Sequence, residues 1–186
     1  MDKLLSVGMM APNFLVKDVK GKKVELNKLH PKSVLVVFLR YSGCPWCNLA
    51  LHRLTMEYPL LKKHNCEIVA FVQSTAENVD KNIFMRHERK PKFPIVADQA
   101  RTIYDVYGVY DSVLAGARSV TQIPHWVHAV RRHGFKQTSL DGDFFLVPAM
   151  FLVSGHSGKL LLAEYGKSFY EHETFTRVYE KLGFVD

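Results

Sequence analysis

The sequence predicts an α/β fold with a mixed central β-sheet flanked by helices. Two observations lead to this prediction: a strand–helix–strand unit in the first half of the chain, and a strand–turn–strand–helix unit at its end. The chain has 186 residues, 47% of them hydrophobic, which suffices for one buried core. We therefore interpret residues 1–186 as a single domain and exclude a disordered chain.

The first half of the chain contains the strand–helix–strand unit. Residues 8–27 alternate apolar segments around a Lys-Gly turn, which predicts an N-terminal β-hairpin. Val34 to Leu39 is apolar at every position, as is typical of a central strand covered on both faces. We expect Pro59 to kink the following helix or end it early. Ile68 to Val72 is the second strand. The helix is indicated by a stripe of residues at spacings of four and three: Cys47, Leu51, Leu54, Tyr58 and Leu61.

Shorter elements follow this unit. Residues 77–88 predict a helix and residues 94–96 a short strand. Asp98 is placed to cap a further helix that stops at Gly108. The stretch 110–141 is longer than an ordinary connection and carries a helical stripe of its own, so we interpret it as an insertion within the domain.

The end of the chain predicts a ββα unit. Apolar runs at residues 150–153 and 159–162 flank a Gly-His-Ser-Gly turn, which is typical of a hairpin. Proline cannot donate to a strand ladder, so we expect Pro148 where the first of these strands begins. Ser168 and Glu171 have the spacing of a capping box for the last helix.

A Cys-x-x-Cys motif lies where the central strand meets its helix. The unpaired N–H groups and the dipole at a helix N-terminus favour a thiolate and lower the pKa of a cysteine there. Cys47 belongs to the apolar stripe and should point toward the core, whereas Cys44 precedes the helix and should be freer to meet solvent. We therefore predict that Cys44 is the attacking thiolate, that Cys47 closes the disulfide, and that Arg40 adds positive charge beside Cys44.

Other interpretations of the cysteines stay open. The motif could be half of a zinc site, although zinc usually takes four ligands and the second pair, for which His128 and His133 are conceivable, is unsupported by the sequence. The two cysteines of the motif could also be inert. Cys66 stands alone at the entry to a strand, and we interpret it as a small core residue.

Charge and cysteine content suggest where the protein acts. The net charge is +7, yet the basic cluster at residues 86–92 lacks interleaved aromatic residues, so we interpret it as a solvated face and expect no nucleic acid partner. The longest apolar run is too short to span a membrane, and no signal peptide pattern is found. Three cysteines cannot form a secreted disulfide framework. We expect a cytoplasmic protein with no membrane partner.

The combined motifs resemble the AhpC/TSA-type peroxiredoxin-like (redoxin) proteins of the thioredoxin-like superfamily, in the branch with a Cys-Pro-x-Cys motif. The resemblance covers residues 8–182 and is weakest over 110–141. The segments that carry it are Ala11-Pro12-Asn13-Phe14, the run from Val36 to Asn48, Tyr107-Gly108-Val109, and Gly142-Asp143 with Val147 to Val153.

The resemblance implies a thioredoxin-like fold in which Pro148 is cis and packs against the motif. It also implies a thiol-dependent oxidoreductase that reduces hydroperoxides or disulfides through a Cys44/Cys47 cycle. A thioredoxin-type or other dithiol would be the reductant, with no cofactor and no metal, and a homodimer is compatible with it. The alternatives are a disulfide reductase without peroxidase activity and a non-enzymatic partner-binding or metal-holding protein.

The sequence departs from the usual peroxiredoxin pattern in the motif itself. When Cys47 is aligned with the cysteine that attacks peroxide, Arg40 stands at the family's proline and Cys44 at its threonine. The arginine that typical members carry near the later strand is replaced by Val147-Pro148. The alignment thus favours Cys47 as nucleophile, whereas the expected burial favours Cys44.

Overall fold

The structure is a computed structural model that describes residues 4–29, 31–138, 140–170 and 174–183. The elements are β1 (Leu15–Lys17), β2 (Lys23–Glu25), β3 (Ser33–Leu39), α1 (Pro45–Lys63), β4 (Cys66–Val72), α2 (Ala76–Val79), β5 (Ile95–Ala97), α3 (Thr102–Val106), α4 (Val113–Arg118), α5 (Ile123–His133), β6 (Ala149–Ser154), β7 (Leu160–Tyr165) and α6 (Thr174–Leu182). A π-helical turn, Asp80–Phe84, continues α2, and a 3-10 turn, Ser119–Gln122, joins α4 to α5.

The central sheet is mixed, as predicted. Its five strands have the order β5-β4-β3-β6-β7. Strands β3, β4 and β5 run parallel, while β6 is antiparallel to β3 and β7 is antiparallel to β6. Strands β1 and β2 form a separate antiparallel pair, which confirms the N-terminal hairpin.

Strand β3 is buried along its whole length, which explains its uninterrupted apolar sequence. Leu35 and Val37 face the core on the side of α1. On the opposite face, Phe38 packs against Tyr104 and Tyr107 at ring-centroid distances of 4.9 and 5.0 Å. The carboxyl end of this doubly covered strand is therefore a rigid support for the turn that follows it.

Helix α1 continues through Pro59, so the prediction that this residue ends it early is wrong. Proline removes one helical N–H and leaves the carbonyl of Thr55 without that partner. The burial of Leu54 and Leu61 on either side of the proline stabilises the helix across the lost hydrogen bond.

Other predicted helix ends are partly confirmed. The Asp98 carboxylate accepts hydrogen bonds from the backbone N–H of Thr102 and Ile103 at 3.0 and 2.7 Å, which confirms its capping role. The helix predicted over 77–88 ends at Phe84. The Ser168 hydroxyl donates to the carbonyl of Tyr170 at 2.8 Å, and the rest of the predicted capping box lies outside the described residues.

Residues 110–141 contain α4 and α5, and Gly134 ends α5 in a left-handed conformation with φ of 67°. The backbone of Glu171 lies outside the described residues. Among the described residues no helix is both long and apolar enough to cross a membrane.

We predict that Pro59→Ala stabilises the protein. Alanine is favoured over proline in a helix interior by about 3 kcal/mol, and about 1 kcal/mol of this is offset because the unfolded chain becomes more flexible. Urea unfolding should show an increase of about 2 kcal/mol in the free energy of unfolding. The neighbouring exposed Leu60→Ala is the control and should change it by less than about 1 kcal/mol. A decrease for Pro59→Ala would contradict this account of α1.

Candidate redox site

The Cys-x-x-Cys motif occupies the turn between β3 and α1, as predicted. Cys44 immediately precedes α1 with an extended backbone (φ −79°, ψ 125°), and its carbonyl accepts the first helical hydrogen bond from Asn48 N–H at 3.0 Å. Pro45 takes the first helical position, where an N–H would have no helical partner. The sulfur of Cys44 therefore lies at the helix N-terminus, where backbone N–H groups stabilise negative charge.

Arg40 places a buried positive charge against Cys44. The arginine is 1% exposed, and its Nη1 donates to the Cys44 Sγ at 3.5 Å. Its Nη2 donates to the carbonyl of Phe144, and the guanidinium lies 3.6 Å from the ring centroid of Phe169. No carboxylate pairs with it in the part of the chain that the structure describes. A buried cation needs a compensating anion, so Cys44 as a thiolate is its counter-ion.

The two thiols of the motif have opposite acidities. Burial alone would raise the pKa of Cys44, but a hydrogen bond from Cys47, the charge of Arg40 and the backbone N–H groups of Cys47 and Trp46 together lower it from 9.0 to about 6. Burial and the adjacent Cys44 raise the pKa of Cys47 well above its ordinary value. These opposite shifts favour Cys44 as the thiolate and Cys47 as its protonated partner.

The prediction that Cys44 meets solvent is wrong. Cys44 and Cys47 are 1% and 5% exposed. The end of the 110–141 segment and the residues after it cover the turn: Thr138 N–H donates to the carbonyl of Gly43 at 3.1 Å. Gly142 fits so tightly that a Cβ atom there would lie 2.6 Å from the carbonyl oxygen of Gln73. A contact between distant parts of the chain thus removes the exposure that the local sequence suggested.

Polar side chains tie this cover to the turn. Ser42 N–H donates to the Ser74 hydroxyl at 2.9 Å, and Ser74 in turn hydrogen-bonds Asp141 at 3.0 Å. Asn82 donates to the Ser42 hydroxyl at 3.1 Å and accepts from the Thr138 hydroxyl at 2.8 Å. These hydrogen bonds connect the turn to α2 and to the covering segment, so the turn is held from several directions.

A cleft of about 270 Å³ reaches the motif from the Cys47 side. Cys47, Trp46 and Pro148 line it together with Phe169 and Tyr170, whereas Cys44 does not. The indole N–H of Trp46 donates to the carbonyl of Gln122 at 3.1 Å, which holds the ring at the cleft wall. This cleft therefore leads to the dithiol at Cys47 rather than at Cys44.

Pro148 lies at the cleft, directly before β6, but the prediction that it is cis is wrong. Every described peptide bond is trans. Trans is favoured for an X–Pro bond by about 0.5–1 kcal/mol, and only the family resemblance argued for cis. The flanking backbone hydrogen bonds, from Val147 N–H to Tyr110 and from Gly166 N–H to the Pro148 carbonyl, fix the segment in this geometry.

The remaining sequence candidates lie apart from the sulfur pair. Cys66 is fully buried, and burial raises its pKa to about 11, which fits the predicted core role. The rings of His128 and His133 lie 5.2 Å apart, but among the described residues no three His, Cys, Asp or Glu side chains are grouped to hold a metal ion.

Sequence reasoning missed two buried polar residues beside the motif. Asn48 is 2% exposed and contacts the Cys44 carbonyl through its side chain. His87 is equally buried, although it lies within the basic cluster that we interpreted as a solvated face. The i,i+4 spacing of Cys44 and Asn48 could have indicated the first residue, but no local pattern distinguishes the second from its charged neighbours.

Comparison with known proteins connects this geometry with thiol chemistry. The model of the AhpC/TSA family matches residues 7–140. Thiol-disulfide oxidoreductase ResA of Bacillus anthracis is 34% identical over 107 residues, which are 56% of this chain and 59% of ResA. The match thus spans a little over half the length of this relative.

Two solved structures share the fold. Peroxidoxin BcpB from Mycobacterium tuberculosis superimposes with a TM-score of 0.65 at 14% identity, covering 97% of each chain. A yeast mitochondrial 1-Cys peroxiredoxin gives a TM-score of 0.68 at 18% identity, covering 97% of this chain and 78% of its own. These structures confirm the predicted thioredoxin-like fold.

We predict that Arg40→Met raises the pKa of Cys44 from about 6 toward or above 9.0, because burial still disfavours the thiolate after its counter-ion is lost. Titration by the ultraviolet absorbance of the thiolate, with Cys44→Ser as the blank, measures this. Arg86→Met is the matched control, since Arg86 also binds carbonyls of the covering segment but does not contact Cys44. An unchanged Cys44 pKa in Arg40→Met would contradict the assigned ion pair.

We also predict the sign of a pH effect on stability. The pKa of Cys44 in the folded protein is about 6, below the ordinary 9.0. Burial raises this pKa, but the hydrogen bond from Cys47 and the charge of Arg40 lower it by more. The contribution of Cys44 is therefore fully present above pH 9 and is lost as the pH falls through 6. The stability of the wild type minus that of Cys44→Ser should decrease as the pH falls across this window. A difference that is constant with pH would exclude a stabilising thiolate.

Proposed function

This chain belongs to the AhpC/TSA family, and we propose that it is a thiol oxidoreductase whose working pair is Cys44 and Cys47. One observation carries the proposal: the buried guanidinium of Arg40, which has a thiolate as its only available counter-ion among the described residues. A structural cysteine pair has no need of a buried cation, whereas a redox thiolate is stabilised by one. The name of the curated relatives, thiol-disulfide oxidoreductase, supports the same chemistry.

We propose hydroperoxide reduction as the first half of the cycle. The Cys44 thiolate attacks the hydroxyl oxygen of the hydroperoxide and the O–O bond breaks, so that Cys44 becomes a sulfenic acid. The leaving hydroxide or alkoxide takes one proton from solvent and departs as water or an alcohol. The near-complete burial of Cys44 favours a small oxidant over a protein disulfide at this sulfur. Arg40 is placed to attract the peroxide and to stabilise the charge that develops on the leaving oxygen.

The second half of the cycle uses Cys47. Its sulfur attacks the sulfenic sulfur of Cys44, a disulfide forms and water leaves. An external dithiol then supplies two electrons and two protons. Because the cleft reaches Cys47, we propose that the reductant attacks this sulfur and that Cys44 leaves as the stabilised thiolate, since a thiol of low pKa is the better leaving group. A thioredoxin-type protein in the cytoplasm has the required chemistry.

Direct disulfide exchange without a peroxidase step is the second candidate. It is favoured by the name of the curated relatives and by Cys44 standing where the usual family pattern has threonine, so that no hydroxyl from this position can orient a peroxide. In this alternative the substrate disulfide would enter through the cleft and meet Cys47 first.

We predict that one equivalent of hydrogen peroxide removes two free thiols from the wild type, because Cys44 and Cys47 pair. Thiol counting before and after treatment measures this. In Cys44→Ser peroxide should remove no thiol rapidly, since burial, the largest cause that raises the pKa of both Cys47 and Cys66, remains. Cys66→Ala is the matched control and should still lose two thiols. Rapid oxidation of Cys44→Ser would overturn the assignment of the nucleophile.

The same proteins separate the two candidate activities. Steady peroxide consumption with a thioredoxin regenerating system supports the peroxidase. No consumption, together with intact reduction of insulin disulfides, would select disulfide exchange instead. Absence of both activities, with a pair that never oxidises, would overturn the proposed function.

A further inference from the structure

A buried amide binds both ends of the redox turn. The Nδ2 of Asn48 donates to the carbonyl of Ser42 at 2.6 Å and to the carbonyl of Cys44 at 3.0 Å. Asn48 is 2% exposed and lies one helical turn after Cys44, so α1 itself fixes its position. One side chain therefore bridges the first and last residues of the three-residue segment that carries the thiolate.

His87 fixes the orientation of this amide. Its Nε2 lies 2.8 Å from Asn48 Oδ1. The amide nitrogen already donates to two carbonyls, so Oδ1 must accept, and the histidine proton must be on Nε2. The Nδ1 of His87 has no hydrogen-bond partner among the described residues, which is consistent with its being an unprotonated acceptor.

The surroundings of His87 keep it neutral. The ring is 2% exposed and stacks on Phe135 at 4.5 Å with an interplanar angle of 24°. Burial first, and then the nearby His52, Arg86 and His133, lower the pKa of His87 to about 3. A neutral imidazole that donates from Nε2 therefore persists throughout the pH range in which Cys44 titrates.

We propose that Asn48 and His87 are positioning residues: they hold the turn of residues 42–44 so that the Cys44 sulfur faces Arg40 and the N-terminus of α1. The inference deepens the proposed dithiol function and rests on it. His87 acts through Asn48, and Asn48 acts through the backbone of the turn; none of the hydrogen bonds found among the described residues joins either side chain to the sulfur.

The physical effect of this positioning is on the stability of the thiolate. The Arg40–Cys44 contact is 3.5 Å long in a water-excluded site, where electrostatic attraction is strong and depends on distance. If Asn48 no longer fixes the turn, the sulfur can move away from Arg40 and from the helical N–H groups. We then expect the thiol to be favoured over the thiolate by about tenfold, which is about one pH unit.

Four variants test the inference through the midpoint of the Cys44 thiolate absorbance. Asn48→Ala removes the bridge, and His87→Phe keeps the ring on Phe135 but removes the donor. Both should raise the midpoint by about one pH unit. His87→Gln restores an N–H donor near the position of Nε2 and should return the midpoint toward that of the wild type. Thr55→Val is the control, because it removes a buried hydroxyl hydrogen bond within the same helix, away from the turn.

A purely structural role would lower the melting temperature of these variants without moving the thiol midpoint. Midpoints of Asn48→Ala and His87→Phe equal to that of the wild type would therefore overturn the inference. If these variants do not fold, ¹⁵N NMR of the wild-type imidazole still decides. We expect the Nε2–H tautomer, and an Nδ1–H tautomer would contradict the proposed orientation of the amide.

The test of the positioning residues is independent of the test of the proposed oxidoreductase activity. The thiolate titration requires no substrate and no turnover. A shifted midpoint in a protein whose cysteines never form a disulfide would support the positioning pair while overturning the oxidoreductase. Normal turnover of the wild type, together with unshifted thiolate midpoints in Asn48→Ala and His87→Phe, would support the oxidoreductase and overturn the positioning pair.

Discussion

The site depends on the contact between the Arg40 guanidinium and the Cys44 sulfur. Both groups are removed from water, and a buried cation without an anion is strongly destabilising. The same burial that penalises each charge separately strengthens their mutual attraction. A thiolate at Cys44 therefore compensates the buried charge of Arg40 and is also the reactive form of the cysteine. The stability of the fold and the reactivity of the motif are linked through this one contact.

This contact requires that the turn be rigid and covered. Strand β3 supports the turn at its own carboxyl end, because both faces of the strand are packed. The segment that follows α5 supplies the cover, with Thr138 on the turn and Phe144 on Arg40. The 110–141 segment thus differs from a passive surface loop, because Thr138 near its end hydrogen-bonds the redox turn. Its close approach at Gly142 leaves no space for a larger side chain.

The two sulfurs divide the chemistry because their surroundings differ. Cys44 has the cation and the helical N–H groups, whereas Cys47 lines the cleft. The more acidic sulfur, Cys44, and the sulfur that lines the cleft, Cys47, are consequently different atoms about one helical turn apart. In the proposed cycle a small oxidant would react with the buried Cys44 thiolate, and a larger thiol would later reach the disulfide at Cys47.

The mixed sheet, the N-terminal hairpin and the position of the motif could be predicted from the amino-acid sequence, because they follow from the periodicity of local apolar residues and from the preferences of helix ends. The sequence also indicated Arg40, which is only four residues from Cys44. The burial of Cys44, the orientation of the Asn48 amide and its contact with His87 depend on segments far apart in sequence, so no local pattern could predict them. Pro59 shows the same limit, since local propensity predicted a helix end that the buried residues on either side override.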